Sequence, residues 1–245
     1  MSWGRNRKQL RHLAAIILAA AGATAAAADV LVVRATGPSA RNFRAGSSLA
    51  DNAKITLQAN DSLTLLDGRG TRTLRGPGTF TPSSPPQAAG RATAIAGAAT
   101  ARRGRIGAVR GVEAGSPRSI WVVDIAKSST ICLADPANVT LWRADASKPV
   151  TLTLAGQGGA RQELDWAAGQ ATLEWPADLA IADGAAYTIS WNGAPQPTSL
   201  KFRTLPSKPT GIEATAASLI KNGCEAQLDL LIETMKVPEG EPVPG

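Results

Sequence analysis

Glu163, Asp165, Trp166, Glu174 and Trp175 carry the side chains with the most chemical promise in this chain. They fall on two short segments that are expected to lie on neighbouring strands. Two carboxyls set roughly 5–10 Å apart across a sugar are what glycoside hydrolysis needs. A sugar-binding module needs only an aromatic platform, which Trp166 and Trp175 can supply. Those two tryptophans are therefore the candidate binding residues, with core packing as the competing reading of both. Glu163 and Glu174 are the candidate acids of a glycan-acting enzyme.

Other chemistry is thinly represented. The single histidine, His12, lies in the amino-terminal segment expected to be removed, so triads with an imidazole base and zinc sites of the His type have no ligand to draw on. Lys127-Ser128-Ser129 and Ser207-Lys208 put amine and hydroxyl side by side, but neither sits on a nucleophile motif. Asp124, Asp135 and Asp183 are oxygen donors without the spaced Asp/Asn loop that calcium requires. Gly156-Gln157-Gly158-Gly159 reads as a hairpin loop, and no phosphate loop or dinucleotide fingerprint is present. No cofactor, no metal and no catalytic residue are expected.

The elements around these residues begin with an export signal. Arg5, Arg7, Lys8 and Arg11 form a basic head, Leu13–Ala21 is apolar, and small residues lead to Ala26-Ala27-Ala28. These are the three parts of a signal peptide, with cleavage expected after Ala28 and Ala27 as a near alternative. The apolar run is shorter than the ~20 residues that span a bilayer. No later segment is apolar enough to cross a membrane, so no transmembrane span is expected after cleavage. A periplasmic or secreted location follows. Cys132 and Cys224, the only cysteines, are then expected to form one disulfide, with two buried thiols as the alternative.

The net charge of +7 is unevenly spread. Residues 29–120 are rich in Lys and Arg, whereas residues 121–245 carry an excess of Asp and Glu. Outside the cytoplasm such asymmetry suits an anionic surface polymer or a solvated basic face, and no nucleic acid partner is expected.

Short strands with tight polar turns fill residues 29–81. Val30–Arg34, Ile55–Gln58, Leu63–Leu66 and Thr71–Leu74 are the strand candidates, separated by Ala59-Asn60-Asp61-Ser62 and Asp67-Gly68-Arg69-Gly70. Within this stretch Ala45-Gly46-Ser47-Ser48-Leu49, Ile55-Thr56-Leu57, Leu65-Leu66-Asp67-Gly68 and Leu74-Arg75-Gly76-Pro77-Gly78 resemble the FecR-type β-domain of bacterial envelope proteins. The resemblance covers about 40 residues, mostly turn chemistry. It implies an extracytoplasmic β-module that contacts another envelope component. The sigma-regulating role of some family members is not implied, because only a dozen residues precede the apolar run.

Residues 82–119 are rich in Ala, Gly and Arg, with Arg102-Arg103-Gly104-Arg105 as a basic centre, and read as a linker. Residues 120–206 resume the strand rhythm at 121–125, 139–142, 150–154, 162–166, 171–175, 187–191 and 200–205. Seven short strands resemble an immunoglobulin-like or fibronectin-like sandwich, and the approach to Tyr187 resembles a tyrosine corner. Residues 207–236 are expected to be helical. Thr210 is read as N-cap of a capping box with Glu213, and Asn222-Gly223 as a break between two helices, one continuous helix being the alternative. Residues 237–245 are expected to be a disordered tail. The fold class is thus mainly β: a small FecR-like β-module, an Ig-like sandwich and a short carboxy-terminal helical segment. The expected function is non-enzymatic protein–protein contact at the cell envelope, with a carbohydrate- or peptidoglycan-binding module as the alternative.

Overall fold

The computed structural model describes residues 30–84, 117 and 119–236. The expected signal segment and its cleavage site at Ala28, the body of the expected linker and the expected tail at 237–245 lie outside the described residues. The fold is mainly β, with two short helices near the carboxy terminus.

The first β unit contains β1 (Val30–Thr36), β2 (Ser48–Leu49), β3 (Ile55–Leu57), β4 (Ser62–Asp67), β5 (Gly70–Arg75) and β6 (Gly78–Phe80). They form one sheet in the order β2-β1-β4-β5 and a second from β3 and β6, with every pair antiparallel. Val30, Val32, Ile55, Leu57, Leu63, Leu65, Leu74 and Phe80 fill the core between them. Gly76-Pro77-Gly78 follows the end of β5 at Arg75 and leads the chain into β6. A Cβ at Gly76 would overlap the Gln58 carbonyl, so only glycine lets β6 pass this close to β3.

The second unit contains β7 (Val122–Asp124), β8 (Ser129–Leu133), β9 (Thr140–Trp142), β10 (Val150–Gly156), β11 (Arg161–Trp166), β12 (Thr172–Glu174), β13 (Ala186–Trp191) and β14 (Thr198–Thr204). Five strands run in the order β11-β10-β13-β14-β8, and three in the order β12-β9-β7. Each sheet contains one parallel pair, β14 with β8 and β7 with β9. Val123 and Leu141 from the smaller sheet share a core with Leu152, Leu154, Ile189, Leu200 and Phe202 from the larger. The Tyr187 hydroxyl donates to the Ala180 carbonyl at 3.0 Å, so the phenol bonds back to upstream backbone.

Sequence periodicity gives seven strands in this unit; the eighth is β8. Its apolar residues are contiguous because both of its faces are covered. Ile131 and Leu133 enter the core of the β unit, while Cys132 points to the opposite side. The same period of two governs β1: Val30 and Val32 belong to its own unit, and Leu31 and Val33 face the helices.

The helices are α1 (Ile212–Asn222) and α2 (Glu225–Thr234). Gly223 ends α1 in the left-handed region at φ 70°, and the Cys224 amide donates to the Leu219 carbonyl at 2.9 Å, closing the exposed carbonyl end. The two-helix form is therefore the one adopted. The capping box is not formed. Gly211, at φ 84°, is the N-cap, which places Thr210 before the helix and leaves Glu213 in its first turn, where a negative charge favours the helix dipole.

The hairpin of α1 and α2 is no appendage. Ala216, Leu219, Cys224, Leu228 and Leu231 pack with Leu31, Val33 and Leu66 of the first β unit and with Cys132 and Leu205 of the second. This third core joins the two β units through the carboxy-terminal segment.

Candidate functional site

Trp166 ends β11 on its inward side, opposite Val150, and is fully buried. The Arg143 guanidinium lies 4.8 Å from its ring centroid. Arg143 donates to the carbonyls of Gln170 at 3.0 Å, Lys148 at 2.9 Å and Ala167 at 2.6 Å, so a buried cation is held by three backbone acceptors and an aromatic face. Trp175 is 9% exposed. Its indole N–H donates to the Leu179 carbonyl at 2.6 Å, and its ring meets Tyr187 and Phe202 edge-on at 4.9 and 5.3 Å between centroids. The aromatic platform expected from Trp166 and Trp175 is thereby corrected. Both rings belong to the core, and at 0% and 9% exposure they do not make an open platform together.

The two carboxylate-bearing strands are also not neighbours. β11 pairs only with β10, at the edge of the five-stranded sheet, whereas β12 pairs with β9, at the edge of the three-stranded one. Glu163 is exposed beside Arg161, with N and O 3.5 Å apart, and Asp165 accepts from the Thr151 hydroxyl at 3.1 Å. Glu174 is exposed on the other sheet.

The amines and hydroxyls are committed locally. Lys127 lies 3.4 Å from the Asp124 carboxylate, Ser128 accepts from the Ser199 amide at 3.0 Å, and Ser129 donates to the Lys127 carbonyl at 3.3 Å. Ser207 and Lys208 are exposed. Asp124, Asp135 and Asp183 brace turns by accepting from the amides of Ala126, Ala137 and Thr204. Among the described residues no group of three metal-ligating side chains is assembled.

Where carboxyl groups are perturbed, the shift favours the charged form. Hydrogen bonds from Asn138 and from the Ala137 amide hold Asp135 below the usual carboxylate range. At Asp67 burial opposes ionisation, but the Arg72 hydrogen bond, the Arg69 amide and both guanidinium charges outweigh it. At Asp61 burial is likewise outweighed by hydrogen bonds from Ser39 and Gln58. A general acid needs the opposite shift.

The most fully built polar arrangement lies instead at the helical joint. Cys132 of β8 and Cys224, at the turn between the helices, are bonded in a disulfide with Cα atoms 5.8 Å apart, and both residues are fully buried. Beside them the Gln227 side chain acts as an added strand residue. Its Oε1 accepts from the Cys132 amide at 2.6 Å, and its Nε2 donates to the carbonyls of Cys132 at 3.0 Å and Ile120 at 2.7 Å. Three backbone groups are satisfied in this way, two of them on Cys132 at the edge of β8, where no further strand pairs.

The far end of α2 does the same for the first unit. The Thr71 amide of β5 donates to the Met235 carbonyl at 2.8 Å, and the Thr71 hydroxyl to the Ile232 carbonyl at 3.0 Å. Arg34 on β1 reaches Asp229 at 2.5 Å, a half-exposed pair of little energetic weight. One helix thus closes an edge of each β unit.

Gln227 and Arg143 have no place among the residues singled out by motif. Gln227 does leave a trace: it falls at an inward position of the pattern Cys224, Gln227, Leu228, Leu231, where a polar residue must find partners. Arg143 leaves none, because its three acceptors come from two loops, Lys148 in one and Ala167 and Gln170 in the other. The chain matches no protein-family model and no curated protein.

Proposed function

We propose that this chain is an exported envelope protein that works by holding a protein partner, without turnover. In this reading a FecR-like module and an Ig-like sandwich are the contact-bearing units, and the helical hairpin fixes their mutual orientation. One observation carries the reading: the buried Cys132–Cys224 disulfide sits inside the core that joins both β units. Disulfides form and persist in oxidising compartments, and this one ties the carboxy-terminal segment to the middle of the chain. A braced arrangement also suits binding, since a preorganised surface loses less conformational entropy on contact. The basic excess of residues 29–120 supports a partner of acidic character.

Chemical crosslinking in the native host, followed by affinity recovery of the tagged chain, tests this. The expected result is recovery from the envelope fraction joined to a defined protein partner. Recovery from the cytosol, or from the envelope with no crosslinked protein, contradicts it.

A further inference from the structure

Trp191 is half-buried at the end of β13, where the inward row Tyr187, Ile189, Trp191 runs out of the sheet. It lines a pocket of about 290 Å³ together with Ala126, Ser128, Pro195, Gln196 and Thr198. We propose that this pocket is a binding site for one neutral pyranose ring, stacked on Trp191 and hydrogen-bonded by Ser128 and Gln196.

The assignment rests on size, charge and uncommitted hydrogen-bonding groups. Drug-sized ligands occupy sites of about 300–1,000 Å³, so this volume suits a single ring. No lining residue is charged, which favours a neutral ligand over an anionic one. Ser128 uses its oxygen to accept from the Ser199 amide, and its own proton has no acceptor among the described residues. Neither the Gln196 amide nor the Trp191 indole N–H makes a hydrogen bond among the described residues, although each can donate. Proline rings from the β13–β14 loop stiffen one wall, limiting the entropy lost when a ligand enters. A half-buried indole that packs against the core and lines the pocket beside unspent polar groups suits a molecule that is apolar on its ring face and hydroxylated at its rim.

The probes are neutral cello- and chito-oligosaccharides, titrated into the intact chain while the tryptophan indole N–H signals are followed by NMR. Trp191→Phe identifies the Trp191 signal. Movement of that signal at millimolar sugar or below, with the buried Trp166 and Trp175 signals unmoved, supports the site. Gln196→Ala, an exposed change that leaves the core intact, is expected to weaken binding about fivefold, the worth of one hydrogen bond. Trp191→Ala is expected to weaken it at least about tenfold. A Trp191 signal unmoved by both sugars overturns the proposal, as does binding that Gln196→Ala and Trp191→Ala leave unchanged. Movement with a proline-rich peptide but neither sugar also overturns it, since the pocket would then serve a protein.

Discussion

Cys132→Ala with Cys224→Ala is expected to lower the unfolding free energy by about 4 kcal/mol, measured by urea titration against the oxidised parent. The bond closes a loop over a sequence separation of 92 residues, so its absence returns considerable freedom to the unfolded chain. Both cysteines are fully buried, and alanine avoids leaving a hydroxyl there without partners. The loss is expected to reach both β units, because Leu31, Val33 and Leu66 share a core with Cys132 and Cys224. Amide exchange should therefore rise in β1 and β4 as well as in β8. A loss below about 1 kcal/mol, or one confined to β8, would mean that the hairpin does not couple the units.

Gln227→Leu should come close to the disulfide in effect. The shapes are similar, so packing is largely kept, but the Cys132 amide and the carbonyls of Cys132 and Ile120 lose their partner inside the protein. Each buried orphan costs about 1–3 kcal/mol, so the expected loss is about 3 kcal/mol or more. Gln227→Glu should not rescue it, since a carboxylate cannot donate to two carbonyls. Asp229→Ala, on the same helix but half-exposed, is expected to cost less than about 1 kcal/mol. Equal effects at Gln227 and Asp229 would show that α2 is held by its apolar face alone.

The contrast between those two residues explains what the sequence makes legible. Alternation in Tyr187, Ile189 and Trp191 and the turn at Asn222-Gly223 are local signals, and the corresponding elements form. β8 escapes because a strand covered on both faces loses its alternation. The acids of β11 and β12 look adjacent along the chain, yet hydrogen-bonding order sends their strands to different sheets. The setting of Trp166 involves Arg143 and acceptors from two loops, which no short window contains. The capping box fails because Gly211, one residue later, supplies the positive φ at which the chain enters the helix. Trp191 is the reverse case: it reads as one more inward strand residue, and only the ends of the neighbouring loops make it part of a pocket.

Intact mass spectrometry of the chain purified from its native host tests export and disulfide locking together. Cleavage after Ala28 predicts a product that begins at Asp29, resists alkylation until reduced, and then takes up two alkyl groups at Cys132 and Cys224. A cytosolic product that still carries residues 1–28 and alkylates at both cysteines without reduction would contradict it.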